Sequence, residues 1–388
     1  MATPRTRVAL VGLSSSAKTA WASRAHLPYL LSDRGRDRFE IVALLNSSVA
    51  AAEAAIAAYD LPRDKVRAYG DPAKLAADKE VDLVVNTTRV DKHYETVIDS
   101  VKAGKDAFVE WPLAQDARHA WELADAAKVG GGRSVVGLQG VTVPLAKRLR
   151  GLLEEGKIGK VLSVDVKGYG GLSDRAKVPD GLSYFTERAV GGNIYTIGFS
   201  HLLSVIEASI GDLASFRGDY HLQRPEVELA DGEGKVVGKA TSNVPDLILG
   251  LGRWGESSIT QANAPLHYRF RRGPPFPGDS ALVWTIQGEK GEIRIVSPQS
   301  TFIHIGDPNA PQVIEVHNFD TNEVEKVEWD WPEWQKELPY PARAIGAVYE
   351  SYAATKATGA EPNHLTFEDA ARRHEYLDNA LAEWRGLQ

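Results

Sequence analysis

Residues 109–115 read VEWPLAQ, the end of a short apolar run, DAFVEW (106 to 111), stopped by Pro112. The run is too short for a helix and rich in residues that suit a strand buried on both faces. Working outward, four similar runs occur: RVALVGL (7 to 13), FEIVALLN (39 to 46), VDLVVNTT (81 to 88) and SVVGLQG (134 to 140). Between them SVAAAEAAIAAYDL, HYETVIDSVKAGK and DARHAWELADAAK place apolar residues at steps of three and four. Strand, helix and strand in series predict right-handed crossovers and a Rossmann-type, doubly wound parallel sheet. We assign this domain to residues 1–142.

The rhythm changes after VPLAKRLRGLLEEGKIG, whose closing glycines read as a helix stop. KVLSVDVKGYGG is strand-like and GGNIYTIGFSHLLSVIEASIG is an apolar helix. From Leu247 to Ile305 come alternating segments, SSITQANA, ALVWTIQG and GEIRIVS among them, with hairpin punctuation at Gly288 to Gly291. Residues 223–245 form a polar excursion from this sheet. A helix from about Ala342 and another from Phe367 to Trp384 close the chain. Residues 143–388 are therefore expected to form an α+β domain, a mostly antiparallel sheet with helices on one face. Its open face is expected to make a homodimer.

The 388 residues carry 45 Lys and Arg against 52 Asp and Glu, a net charge of -7. That balance argues against direct nucleic-acid binding. No apolar stretch reaches the ~18 residues a membrane span needs, and no cleavable signal opens the chain, so a soluble, cytoplasmic protein is expected. The absence of cysteine removes disulfides, thiolate nucleophiles and cysteine-ligated metals. None of the ten histidines is paired at zinc-helix spacing, so no metal site is expected.

A dinucleotide fingerprint after the first strand places three glycines where backbone approaches a pyrophosphate. Here only Gly12 fits. Ser14 and Ser15 follow, their hydroxyls able to replace backbone donors, and a serine cap on the next helix is the plainer reading. The second strand ends in Asn46 and Ser47, with neither the acid that grips a ribose 2'-hydroxyl nor the arginine that favours a 2'-phosphate, so NAD and NADP both stand. Thr87, Thr88 and His93 follow the VDLVVNTT strand, where ligands meet an open α/β sheet. Capping chemistry explains them equally well.

In this order the residues resemble the glucose-fructose oxidoreductase and inositol dehydrogenase family. The likeness runs through the strand ending in Gly12, HLPYL at His26, VDLVVNTT, VEWPL, VVGLQG, EEGKIGKVLSV and the Gly-Gly to GFSH helix. Within the family it is nearest the branch containing the galactose-pathway repressor of yeasts. That branch also has an extended loop resembling SSSAKTAWASRAH, the pair Glu110 and Trp111, a Leu-Gln-Gly like 138–140 and a turn like Gly168 to Gly171. The resemblance implies a bound nicotinamide dinucleotide, with Trp21, Glu110, Trp111 and Gln139 joining the residues that face it.

The family's catalytic set is a lysine between Glu and Pro, then an Asp and a His four residues apart on a helix. This chain has Trp111 for the lysine and Ile197 for the Asp, and a further family acid is Ser204. Only His201 remains. Alcohol oxidation needs a base for the hydroxyl proton, which a histidine can supply alone. Tyr169, Tyr184 and Tyr195 are candidate acids or substrate clamps; Tyr195 lies six residues before His201, roughly 120° short of two turns. Trp111 offers a flat apolar surface to a nicotinamide ring. A buried histidine kept for packing is the competing account of His201.

RFRRGPPFPG holds Arg269, Arg271 and Arg272, fitting an acidic substrate or a solvated strand end. EWDWPEWQKE (328 to 337) reads as a lid, a dimer contact or an anchored surface loop. The expected function is an NAD(P)-dependent oxidoreductase acting on a sugar, polyol or cyclic secondary alcohol or ketone. The alternatives are a non-catalytic dinucleotide-binding regulator of the repressor type, and a redox-neutral epimerase or lyase that retains its cofactor.

Overall fold

The computed structural model describes residues 4–170, 174–382 and 384. The chain divides into two compact units. The first comprises residues 1–139, 189–192 and 332–376, and the second residues 140–188, 193–331 and 377–388.

In the first unit, β1 (Thr6–Val11), β2 (Phe39–Leu45), β3 (Arg67–Tyr69), β4 (Leu83–Asn86), β5 (Asp106–Glu110) and β6 (Ser134–Gly137) form one sheet. Its order is β3-β2-β1-β4-β5-β6, and every neighbouring pair is parallel. The run-and-helix alternation predicts this, because strands covered on both faces have no polar side to show. Helices Val49–Ala58, Val90–Lys102 and Ala117–Gly130 lie where the three- and four-residue steps put them. Ser48 and Asp116 cap the first and last by accepting from Ala51 N and His119 N.

The expected boundary is crossed later in the chain. Helix Tyr340–Thr358 packs into the first unit, where Ala342, Ile345, Val348, Tyr349 and Tyr352 join Val8, Leu10, Phe39 and Phe108 in one buried cluster. Residues 143–388 are therefore not one continuous unit. An apolar helix docks wherever a complementary face is open, and sequence position does not record which face that is.

The second unit carries β7 (Val161–Gly170), β8 (Lys177–Pro179), β9 (Ser215–His221), β10 (Glu226–Ala230), β11 (Val236–Thr241), β12 (Leu247–Arg253), β13 (Pro265–Arg272), β14 (Leu282–Gly288), β15 (Gly291–Ser297), β16 (Val313–Asn318) and β17 (Val324–Val327). Eight of these make a sheet of order β17-β16-β15-β14-β7-β13-β12-β9. Within it only β7 and β13 run parallel. The glycines at 288 and 291 lie at the β14–β15 hairpin as expected.

Residues 223–245 do not belong to the large sheet. β10 and β11 form a hairpin that adds β8 to make a separate three-stranded sheet. SSITQANA, expected as a strand, is a turn. Ser257 Oγ accepts from the amides of Ile259 and Thr260, and Asn263 sits at φ 62°. Hydroxyl and amide side chains here compete with the ladder for backbone partners. Helix Pro144–Glu154 ends at Gly156 and Gly159, both at positive φ, and the last helix runs Phe367–Ala382. Gly171, in the GYGG turn, lies outside the described residues. Among them no helix is long and apolar enough to cross a membrane.

Candidate functional site

In the first unit the carboxyl ends of β1 and β4 approach each other closely. Gly12 has φ +92°, and a Cβ there would lie 2.9 Å from Thr88 Cγ2 and 3.2 Å from its amide. Only glycine lets the two strand ends meet this way. This is the point where the strand order reverses, which is where ligands bind open α/β sheets.

Ser14 and Ser16 pair through their hydroxyls at 3.0 Å, and Ser15 is exposed. They do not cap a helix: the next one begins at Ala22, with Trp21 before it and no side-chain cap. Asn46 ties the loop down, its Nδ2 donating to Leu13 O at 2.8 Å, while its Oδ1 is buried without a partner. Trp21 Nε1 is likewise buried and unpartnered. Ser47 is exposed beside Asn46. An orphan acceptor, an orphan donor and the exposed serines 15 and 47 near a glycine-lined strand end fit the polyhydroxyl and phosphate groups of a dinucleotide. The group fits the residues present.

Thr87, Thr88 and His93 are engaged locally. Thr87 Oγ1 donates to Val11 O at 2.8 Å, and Thr88 Oγ1 donates to Asn86 Oδ1 at 2.8 Å. The His93 ring lies between the carbonyls of Pro112 (2.9 Å) and Thr88 (2.8 Å), and burial pulls its pKa below the ordinary value. A neutral ring donates to only one of these carbonyls.

Glu110 ends β5 inside a buried chain of hydrogen bonds. His26 Nε2 is 2.9 Å from Glu110 Oε1, His26 Nδ1 is 2.9 Å from the Tyr349 hydroxyl, and Gln139 Nε2 donates to Glu110 Oε2 at 3.3 Å. Reading the sequence picked out Glu110 and Gln139 but missed His26 and Tyr349. His26 was visible only as part of HLPYL, and nothing local marks Tyr349, which is 239 positions away from Glu110 in the numbering (349 minus 110). Trp111 is 4 % exposed, its ring 4.7 Å from that of His374. Complete burial holds His374 down to about 3.

In the second unit His201 is 5 % exposed and stacks on His304, with centroids 4.2 Å apart and planes 21° from parallel. Burial holds His304 neutral, down to about 3, and its Nδ1 has no partner. His304 was missed because it sits in an irregular stretch with no periodicity. Residues Ile194–Phe199 form a π-helix that runs into the α-helix Ser200–Ile210. Its i→i+5 bonding shifts the phase of side chains, so α-helical steps do not relate Ile197 or Tyr195 to His201.

Tyr195 stacks on Phe199 and donates its hydroxyl to Leu377 O at 3.1 Å. Tyr184 lies against Phe185. Tyr169 is not brought to His201. Gly168 faces Leu202 of the His201 helix, and Tyr169, one residue on, points to the other face of the sheet, beside Arg269 and Arg271.

Residues 6–138 match the oxidoreductase family with an NAD-binding Rossmann fold, and residues 144–297 match the C-terminal domain of Gal80p. The dehydrogenase aclE of Aspergillus oryzae is 29% identical over 304 residues, 78% of this chain and 80% of its own. The galactose/lactose metabolism regulatory protein GAL80 of Saccharomyces cerevisiae is 27% identical over 298 residues, 74% of this chain and 66% of its own. In fold, a super-repressor mutant of Gal80p from Saccharomyces cerevisiae superposes with a TM-score of 0.83 at 23% identity, covering 97% of this chain and 95% of that one. Residues 6–138 are thus of the oxidoreductase family with an NAD-binding Rossmann fold, and residues 144–297 of the Gal80p C-terminal type.

Proposed function

We propose that the protein is an NAD-dependent oxidoreductase acting on a sugar, polyol or cyclic secondary alcohol. The observation that carries the enzyme reading is the stacked pair His201 and His304. With His304 held neutral by burial, a proton taken up by His201 meets no second charge on the ring against it. When bound, the nicotinamide supplies the hydride acceptor. His201 then takes the hydroxyl proton on oxidation and returns it on reduction.

Asn46, with its orphan Oδ1, accepts from a ribose hydroxyl and repels a 2'-phosphate, so NAD is preferred to NADP. Ser14, Ser15 and Trp21 hold the phosphates and the remaining polar edge. Glu110, held by His26 and Gln139, gives the end of β5 a buried polar cluster beneath the cofactor. The relatives support a redox reading, since aclE is described as a dehydrogenase and others as inositol and xylose dehydrogenases. A homodimer through the open face of the large sheet goes with it, Leu251 being 53% exposed on β12.

The regulator reading has its own support: Trp111 stands where the family has its lysine, and residues 144–297 match the Gal80p domain. A screen of polyols, aldoses and cyclic ketones at 340 nm decides between the two. Turnover lost in His201→Ala with NAD affinity intact supports the enzyme. Tight NAD binding with no turnover of any substrate supports the regulator.

A further inference from the structure

The carboxyl ends of β7 and β13 in the second unit concentrate positive charge in a chain that is negative overall. The two strands are parallel neighbours with Tyr169 opposite Arg271. The Arg271 guanidinium lies 4.4 Å from the Tyr169 ring centroid and that of Arg269 5.7 Å. Arg269 Nη1 also reaches the phenol oxygen at 3.4 Å. Arg271 and Arg175 donate to the same carbonyl oxygen, that of Pro274, at 3.0 and 2.9 Å. Two cations sharing one neutral acceptor repel each other.

The neighbouring acids do not answer this charge. Asp174 accepts from the amides of Ala176 and Lys177, Asp246 from those of Gln223 and Arg224, and Asp279 faces Lys167 at 3.9 Å. Burial, then the fields of Arg175, Arg269 and Arg224, pull Arg271 below its ordinary value against an opposing contribution from Tyr169. The fold nevertheless commits the carbonyls of Arg272, Pro274 and Pro275 to hold these forks in place. Arginine forks fixed in advance over an aromatic face are suited to an oxyanion with several acceptor oxygens. A dianion offsets more of this charge than a single carboxylate would.

We propose that Arg269 and Arg271, seated on Tyr169, together with Arg175 beside Arg271, form a binding site for a phosphate-type dianion, free or carried as a monoester. The site is separate from His201, because Tyr169 and the His201 helix lie on opposite faces of the sheet, and it does not depend on nucleotide binding.

The test uses the full chain. Thermal unfolding and calorimetry are run with inorganic phosphate, with glycerol 3-phosphate, and with sodium chloride at equal ionic strength. Phosphate is expected to raise the midpoint beyond chloride and to saturate. Arg271→Gln and the exposed Arg175→Gln should each weaken phosphate at least ten-fold, while Arg294→Gln, on β15 and paired with Glu315, should not. Tighter binding of glycerol 3-phosphate assigns an esterified ligand, and equal binding assigns free phosphate. Equal midpoints in phosphate and chloride overturn the proposal, as does a phosphate response kept by both variants. A change in particle mass in Arg271→Gln with the phosphate response unaltered would assign the arginines to a protein contact instead, and the proposal falls.

Discussion

His26 Nε2 stands 2.9 Å from Glu110 Oε1, and both side chains are buried. A carboxylate only accepts, so His26 donates from Nε2 and its Nδ1 accepts from Tyr349. Burial, and then Glu110, hold the Tyr349 hydroxyl well above its usual range, so it keeps the proton it donates. Tyr349→Phe leaves Nδ1 unpaired and should cost about 1–3 kcal/mol in denaturant unfolding. No loss of stability would mean that water replaces the hydroxyl.

In the proposed cofactor site the same carboxylate at the end of β5 would bear on cofactor redox state. A fixed negative charge favours the cationic oxidised nicotinamide over the neutral reduced ring. Glu110→Gln should therefore weaken NAD+ several-fold more than NADH, with both constants taken by calorimetry. Equal weakening of the two would show that Glu110 serves packing alone.

In the proposed cofactor site the buried Asn46 Oδ1, without a partner in the free protein, is the acceptor for the ribose. Asn46→Ala should weaken NAD by roughly ten-fold, about 1.4 kcal/mol, and narrow the gap to NADP. A wider gap between NAD and NADP in this variant would contradict the assignment of Oδ1 to the ribose.

Stability should fall in mild acid. His304 and His374 are held to about 3 and His364 to about 4, all by burial. An unfolded chain protonates each near 6.5, so between roughly pH 6.5 and 4 the unfolded state binds more protons and stability rises with pH. Above pH 6.5 these groups contribute no slope. Each histidine should add about 1.4 kcal/mol per pH unit inside that window. Unfolding midpoints at pH 7, 6 and 5 measure this, and His374→Phe should remove close to one proton from the slope. An unchanged slope would show that His374 is protonated in the folded protein.

His201→Asn should abolish turnover of any substrate found while keeping NAD affinity within about two-fold, a change under 0.5 kcal/mol. His304→Ala removes the stacked ring and should lower kcat more than it raises KM, because the ring it orients acts in the chemical step. An effect on KM alone would place His304 in ligand binding.

Much of the fold was legible because burial on both faces leaves a mark in every residue of a strand. VDLVVNTT and DAFVEW show it, and they became β4 and β5. Gly12 was legible as the one glycine of a dinucleotide fingerprint, and His201 as the surviving histidine of a known pattern. SSITQANA misled because Ser257 and Asn263 draw backbone amides and turns to themselves, which an apolar alternation does not reveal. Tyr169 and Tyr195 misled for a different reason. A one-residue step in a strand reverses the face, and a π-turn breaks the helical phase.

The sequence by itself determined the two rhythms, the parallel sheet, the missing lysine and aspartate, and the exclusion of cysteine chemistry, because each is a property of composition or local period. Tertiary structure alone decided that Tyr349 meets His26, that His304 lies on His201, and that two arginines share one tyrosine. Those contacts join residues far apart in the chain, and their partners are chosen by complementary surfaces that no local spacing encodes.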